Sequence, residues 1–347
     1  MAFRELHMVE IKEVLRLWSR GHGLRTVALR TGVDRKTVRR YVEAARKAGL
    51  KPDAKAIEDG LIAEVEAHSP KLVVTGNQAV GEGGGIRLGG GCVISGATVE
   101  GNTAAQGGGI RMGTESSASH VRLVGNEATV SGGGVFVQNS ASLSYAVVLA
   151  NTAPDGAGAY LSSFSGSVEH SVFGGNEATL AWGGAGLRLN VSTFPSLTNL
   201  VIAFNSTGWA GAGVGVNDGS QGVFVSCNVW GNSPADWQFH PVVVGQSGNV
   251  AVSPGFLGSL ATDPSFWNVR LMVASPMIDA GDPTVLDPDG SPSDMGAFGG
   301  PGADQWDLDG DGFPSWWQPG PYDYGSYPAL GWDCDDLDAS VFPGTGC

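Results

Sequence analysis

The clearest coordination chemistry in this 347-residue chain lies in seven aspartates near its C-terminal end. Asp307, Asp309 and Asp311 alternate along DLDGDGF and are followed by Gly312. Oxygen ligands at alternate positions, with glycine for the sharp turn, match positions 1, 3, 5 and 6 of a twelve-residue calcium loop. Position 12 of that loop is Gln318, not a bidentate Glu. The shell is therefore expected to close through a second run, DCDDLDAS, which supplies Asp333, Asp335, Asp336 and Asp338. All-oxygen ligands with no His or Met at hand favour Ca2+ over a transition metal.

A second chemistry sits at the opposite end. Residues 1–51 hold 13 Lys/Arg against 5 Asp/Glu, whereas residues 70–347 hold 6 against 24. The asymmetry predicts a basic head for an anionic partner and an acidic tail for cations. Within LRTVALRTGVDRKTVRRYV, residues 24–42, Ala28, Gly32 and Val38 stand at offsets 5, 9 and 15 from Leu24. That is the spacing of a helix-turn-helix: a small residue at the helix crossing, a glycine for the turn, and an apolar plug. Asp34 is a suitable N-cap. It would place Arg35, Lys36 and Thr37 in the first turn of a recognition helix, with Arg39 and Arg40 next, to meet base edges and phosphates of DNA. Ahead of it, Met8, Ile11, Leu15 and Trp18 recur at helical spacing, and Gly21 and Gly23 end that helix.

Between the two ends the chain is poor in charge. His120 and His170 lie 50 residues apart, as do Glu127 and Glu177, with Thr103, Thr152 and Ser206 at the intervening equivalents. No acid–base pair or metal cluster is expected from them. Trp182, Trp209, Trp230 and Trp237 leave two readings open, a sugar-stacking strip or loop and cap packing.

The elements that carry these residues follow from a repeat. Asn77, Asn102, Asn126, Asn151, Asn176, Asn205 and Asn232 recur at spacings of 24 to 29 residues. Each repeat reads apolar-x-apolar-x-x-Asn, then a glycine-rich bend, then apolar-x-apolar, as in VRLVGNEATVSGGGVFV. Alternation puts one set of side chains inside a coil. A period near 25 residues is the size of one rung of a parallel β-helix. The fold expected is mainly β: a right-handed parallel β-helix of about seven rungs, a small all-α helix-turn-helix domain before it, and an irregular acidic tail. The asparagines are assigned a structural role, stacked at one corner to satisfy backbone groups of the bends. Boundaries are expected at 1–68 for the helical module, 69–260 for the β-helix, 261–303 for an end cap over the last rung, and 304–347 for the tail.

Three resemblances accompany this reading. Residues 1–68, through VALRTGVDRKTVRRYVEAA, resemble the N-terminal module of the IstA-type insertion-sequence transposases, which implies terminal-repeat DNA binding. No βαβ pattern follows to carry that family's Asp-Asp-Glu core, so strand transfer is not implied. The GGGI and xxGN motifs of residues 70–300 resemble bacterial right-handed parallel β-helix proteins and polymorphic outer-membrane repeats. They imply a secreted or surface-displayed shaft. SPMIDAGDPTVLDPDGSPSDMGAFGG resembles the segment that closes such proteins. DLDGDGF with DCDDLDASVFPG resembles short secreted metal-binding repeats, among them thrombospondin-type calcium repeats.

No apolar run is long enough to span a membrane. The N-terminus has charges throughout and no apolar h-region, so the chain as written is expected in the cytoplasm. Cys334 and Cys347 can pair if the tail is outside the cell. The stretch EAHSPKLVV reads as a fusion seam between a transposase start and the body of an exported protein. The function expected is a non-catalytic β-helix for surface display, adhesion or matrix contact, meeting polysaccharide or protein. Two alternatives stand beside it: a DNA-binding, transposase-derived protein without a catalytic core, and a polysaccharide lyase or hydrolase.

Overall fold

The computed structural model describes residues 8–33, 35–47, 50, 72–180, 184–208, 211–217, 219–257, 263–264, 267–272, 274–288 and 290–303. The chain divides into two compact units, one helical and one built of strands.

The helical unit has α1 (Met8–Ser19), α2 (Leu24–Thr31) and α3 (Arg35–Lys47). Its core is Ile11, Val14, Leu15, Trp18, Val27, Val33, Val38, Tyr41, Val42 and Ala45, with Leu24 and Ala28 packed against them. Gly32 ends α2 in the left-handed region at φ 69°, a conformation open to glycine because it has no Cβ. The expected turn, plug residues and small crossing residue are all in these places.

The second unit is a parallel β-solenoid of about six turns. Seven asparagines delimit six intervals, which is why the number of turns is one below the number of repeats. Each full turn contributes one strand to each of three sheets. The longest strands are Val93–Glu100, Ser117–Val124, Ser142–Leu149, Ser167–Gly174 and Ser196–Ala203. A corner sheet stacks Thr103–Gln106, Glu127–Ser131, Thr152–Ala153, Glu177–Ala178 and Ser206–Thr207. A third sheet runs from Ile86–Leu88 to Trp237–Gln238. Equivalent residues pair in register, for example Val121 with Ala146, and Ile110 with Val135.

The asparagines form one continuous ladder. Each Oδ1 accepts the backbone N–H and the side-chain N–H of the asparagine one turn earlier. For Asn126 and Asn151 these distances are 2.9 and 3.0 Å. Each Nδ2 also donates to a carbonyl of the earlier turn, as from Asn151 to Leu123 O at 2.9 Å. Asn102, Asn126, Asn151, Asn176 and Asn205 are fully buried. The ladder ends on a carboxylate: Asn232 N and Nδ2 donate to Asp236 Oδ1 at 2.9 and 2.8 Å. An ionised carboxylate accepts twice and donates nothing, so it closes the series.

Each long strand bends once. Gly96, His120, Tyr145, His170, Asn199 and Ser226 occupy the left-handed region at equivalent positions. The bend resets the alternation. Ala118 points inward before it, Val121 and Leu123 after it, and all three are buried. The bend residues thereby form an outward column. Beyond them the outward positions Val124, Val147, Leu149, Val172 and Val201 are apolar, yet buried too.

Their cover is the segment expected to cap the last rung. Met277, Met295, Ala297 and Phe298 pack on these valines. Gly296 N donates to Asn199 O at 2.9 Å, Gly302 N to Tyr145 Oη at 3.1 Å, and His120 Nε2 lies 2.9 Å from Gly302 O. The segment thus runs back along the flank across successive turns, instead of folding over the final one. The physical reason is the run of apolar outward positions across these turns, which needs cover from water. The last turn is closed by the loop before the segment. Asn249 accepts from Cys227 N at 2.9 Å and donates to Phe224 O at 2.8 Å.

Replacing Asn151 by Ala removes donors and acceptors to two neighbouring turns and leaves their partners buried. Several kcal/mol of stability should be lost, at ~1–3 kcal/mol for each buried group left unsatisfied. Asp236→Ala, which breaks only the end of the ladder, should cost less. Urea unfolding of both variants of the full chain measures the difference.

Candidate functional site

The helical unit presents Arg35 and Arg39 four residues apart and exposed on α3. That spacing puts two guanidinium groups on one helix face. Lys36, Thr37 and Arg40 belong to the same helix, but their side chains lie outside the described residues, as does Asp34. The aspartates expected to bind Ca2+ (Asp307, Asp309, Asp311, Asp333, Asp335, Asp336 and Asp338) also lie outside the described residues. Among the described residues no group of three or more His, Cys, Asp or Glu could hold a metal ion.

The structure brings His120 and His170 together, with Tyr145 between them. Tyr145 stacks on His120 at 4.5 Å and on His170 at 5.1 Å, with the rings within 10° of parallel. Both imidazoles are buried beneath residues 299–302. Glu127 and Glu177 share a column with Thr152 paired between them. The threonine keeps the two carboxylates from adjacent rungs, where like charges would repel. Both glutamates are exposed.

Of the four tryptophans, Trp182 and Trp209 lie outside the described residues. Trp230 and Trp237 are half-buried and serve packing. Trp230 meets Phe204 edge-on at 5.3 Å, and Trp237 meets Phe224 edge-on at 5.0 Å. Phe204 is also edge-on to Trp267 at 5.7 Å, which ties the flank segment to the solenoid. Cys227 is wholly buried and donates to Leu197 O and Val225 O at 3.3 Å. Burial pushes its thiol up to about 12, which makes it unreactive at neutral pH.

One ionisable cluster was not expected from the sequence. On the outer face of the third sheet, Arg87, Arg111, Phe136, Tyr160 and Arg188 form a column by direct register. The Arg111 guanidinium covers the Phe136 ring at 4.5 Å, and Phe136 stacks on Tyr160 at 5.1 Å. Arg111 Nε faces Glu82 at 3.6 Å, and its Nη2 donates to Gln138 Oε1 at 2.6 Å. Arg188 Nε lies 3.3 Å from Asp155 Oδ1, but not in line for a hydrogen bond. Burial raises the Asp155 carboxyl above its usual range, against the attraction of Arg188 and the Gly156 amide. The sequence signal was available: arginine at the middle of IRL, IRM and LRL, one residue from inward positions on both sides.

The arrangement of the solenoid is therefore one of paired or spaced charges along its columns. Comparison with protein-family models, curated proteins and solved structures finds no match.

The Asp155–Arg188 pair is testable as structure. Arg188→Met should destabilise the chain by roughly 1–3 kcal/mol, because it leaves the half-buried Asp155 carboxylate without its counter-charge. Asp155→Asn with Arg188→Met should recover most of that loss in thermal unfolding. A single variant as stable as the parent would show that the pair does not support the fold.

Proposed function

We propose that this chain is a right-handed β-helix shaft of secreted or cell-surface type, serving surface display, adhesion or matrix contact without catalysis. The observation that supports this reading is the use of the solenoid's polar groups. The buried amides bond the next rung, and the outward charges either pair across neighbouring rungs or alternate with neutral residues. Convergent ionisable groups, which hydrolysis or elimination would need, are not what this pattern favours. The partners that suit a long, regular face are surface polysaccharides or proteins. The Asp-rich tail would bind Ca2+ through Asp307, Asp309 and Asp311 with Asp333, Asp335, Asp336 and Asp338, on the spacing of the sequence alone.

The full chain should co-sediment with insoluble polysaccharides or bind matrix proteins, and release no reducing ends or unsaturated sugars from a polysaccharide panel. Turnover of any of these would replace the reading with the lyase or hydrolase alternative. Calcium titration calorimetry should show heat of binding that Asp309→Asn with Asp311→Asn removes.

A second reading is favoured by the exposed Arg35 and Arg39 on α3, behind the left-handed turn at Gly32. It makes residues 24–42 a DNA-binding element, in a transposase-derived protein without strand-transfer chemistry. Duplex DNA binding, followed by fluorescence anisotropy, should weaken at least tenfold when both arginines become alanine. The slope of affinity against salt should fall by about two, one for each phosphate that an arginine no longer neutralises. Unchanged affinity in the double variant would remove this reading.

A further inference from the structure

The segment 277–303 is held to the flank of the solenoid by the bend column, whose members include the imidazole of His170. His170 is buried between the Tyr145 ring at 5.1 Å and the backbone of Gly300. A Cβ placed on Gly300 would lie 2.4 Å from the imidazole, and Gly300 has φ +82°, so the chain can press on the ring only as glycine. His170 Nε2 lies 3.2 Å from Asn199 Nδ2.

The Asn199 amide is not free to turn. Its Oδ1 accepts from Asp282 N at 2.7 Å, and its Nδ2 also donates to Ser293 Oγ at 3.1 Å. Reversal would set the amide N–H against the Asp282 N–H. His170 Nε2 must therefore accept, and only a neutral imidazole has that lone pair. A proton on Nε2 would face the Asn199 Nδ2 donor in a buried site.

We propose that residues 277–303 form an acid-released strap: protonation of His170 breaks its contact with Asn199 and frees the segment from the outer flank. The ionisable groups facing this site are Tyr145 and His120 from the neighbouring turns, Glu169 from its own strand, and Asp279, Asp282, Asp287 and Asp294 from the strap. The aspartates hold the strap's internal turns. Asp294 Oδ1 accepts from Asp279 N at 2.8 Å, and Asp287 accepts from Gly300 N.

Burial lowers the His170 imidazole from 6.5 to about 4, opposed by the Asp282 carboxylate and the Gly299 backbone. The docked value lies below the released one. Docking is thus strongest above pH 6.5 and weakens as pH falls from 6.5 towards about 4, approaching tenfold per unit within that window.

Hydrogen exchange with mass spectrometry on the whole chain, read as protection factors at pH 7 and pH 4.5, tests this. Peptides within 277–303 should lose about a hundredfold in protection at the lower pH, while ladder peptides of 142–176 keep theirs. A hydrophobic dye should brighten over the same range as Val147, Val172 and Val201 are uncovered. His170→Phe keeps a ring in the stack but cannot protonate, so its strap should stay protected at pH 4.5. Asn199→Asp offers an acceptor to the imidazolium and should move release to lower pH. Equal loss of protection in His170→Phe would assign the acid sensitivity to His120 or the aspartates and overturn the proposal, as would a native strap unmoved at pH 4.5. If His170→Phe does not fold, Asn199→Asp decides, and release at the same or higher pH overturns it.

Discussion

Every rung of this solenoid has polar corners that it cannot satisfy alone. The asparagine amide meets that constraint because it carries an acceptor and two donors on a short, stiff stem. One side chain reaches backwards, through Oδ1 to the earlier asparagine's backbone and side-chain N–H and through Nδ2 to a carbonyl, and forwards through Nδ2 to the next asparagine. The ladder fixes register along the axis, and register determines which residues share a column. Columns then set everything else that the outer surface can do.

The bend column shows this dependence. A left-handed residue in mid-strand turns the chain and shifts the inward phase by one position, so that strands with eight residues face two directions. Asparagine is at home in that conformation, and histidine is several-fold enriched there. The same geometry stacks His120, Tyr145 and His170 face to face and makes their edges available to residues 299–302. The outward valines beyond the bend complete the attachment. The strap is thus part of the solenoid's core, extended to a second layer, and not a plug at its end.

The two units have opposite electrostatics. The basic residues are concentrated in the first 51 positions, and the later chain is strongly acidic. A basic helix suits polyanions, whereas a shaft with excess carboxylate repels them. Within the solenoid, buried guanidinium groups are balanced locally: Arg111 by Glu82 and the Phe136 face, and Arg188 by Asp155. Removing ions from water is expensive, so pairs of this kind mark where rungs are held together by charge as well as by the ladder.

Much of the architecture was legible in the residues themselves. The Asn period, the glycine bends and the alternating apolar pairs specify stacked parallel coils, because side-chain direction in a strand follows parity alone. The helix-turn-helix was legible for a similar reason, since Ala28, Gly32 and Val38 answer to contacts within one short stretch. The mid-strand bend was not, because nothing local marks His120 or Tyr145 as left-handed. The runs AVVL in 146–149 and LVIA in 200–203 did carry a trace of the strap, being apolar on both faces. Which segment covers them, which carboxylate meets Arg188, and that His170 must accept from Asn199 were decided only by tertiary structure. Those contacts join residues from 29 to 182 positions apart, and such pairings depend on register and chain path, which no local pattern of residues encodes.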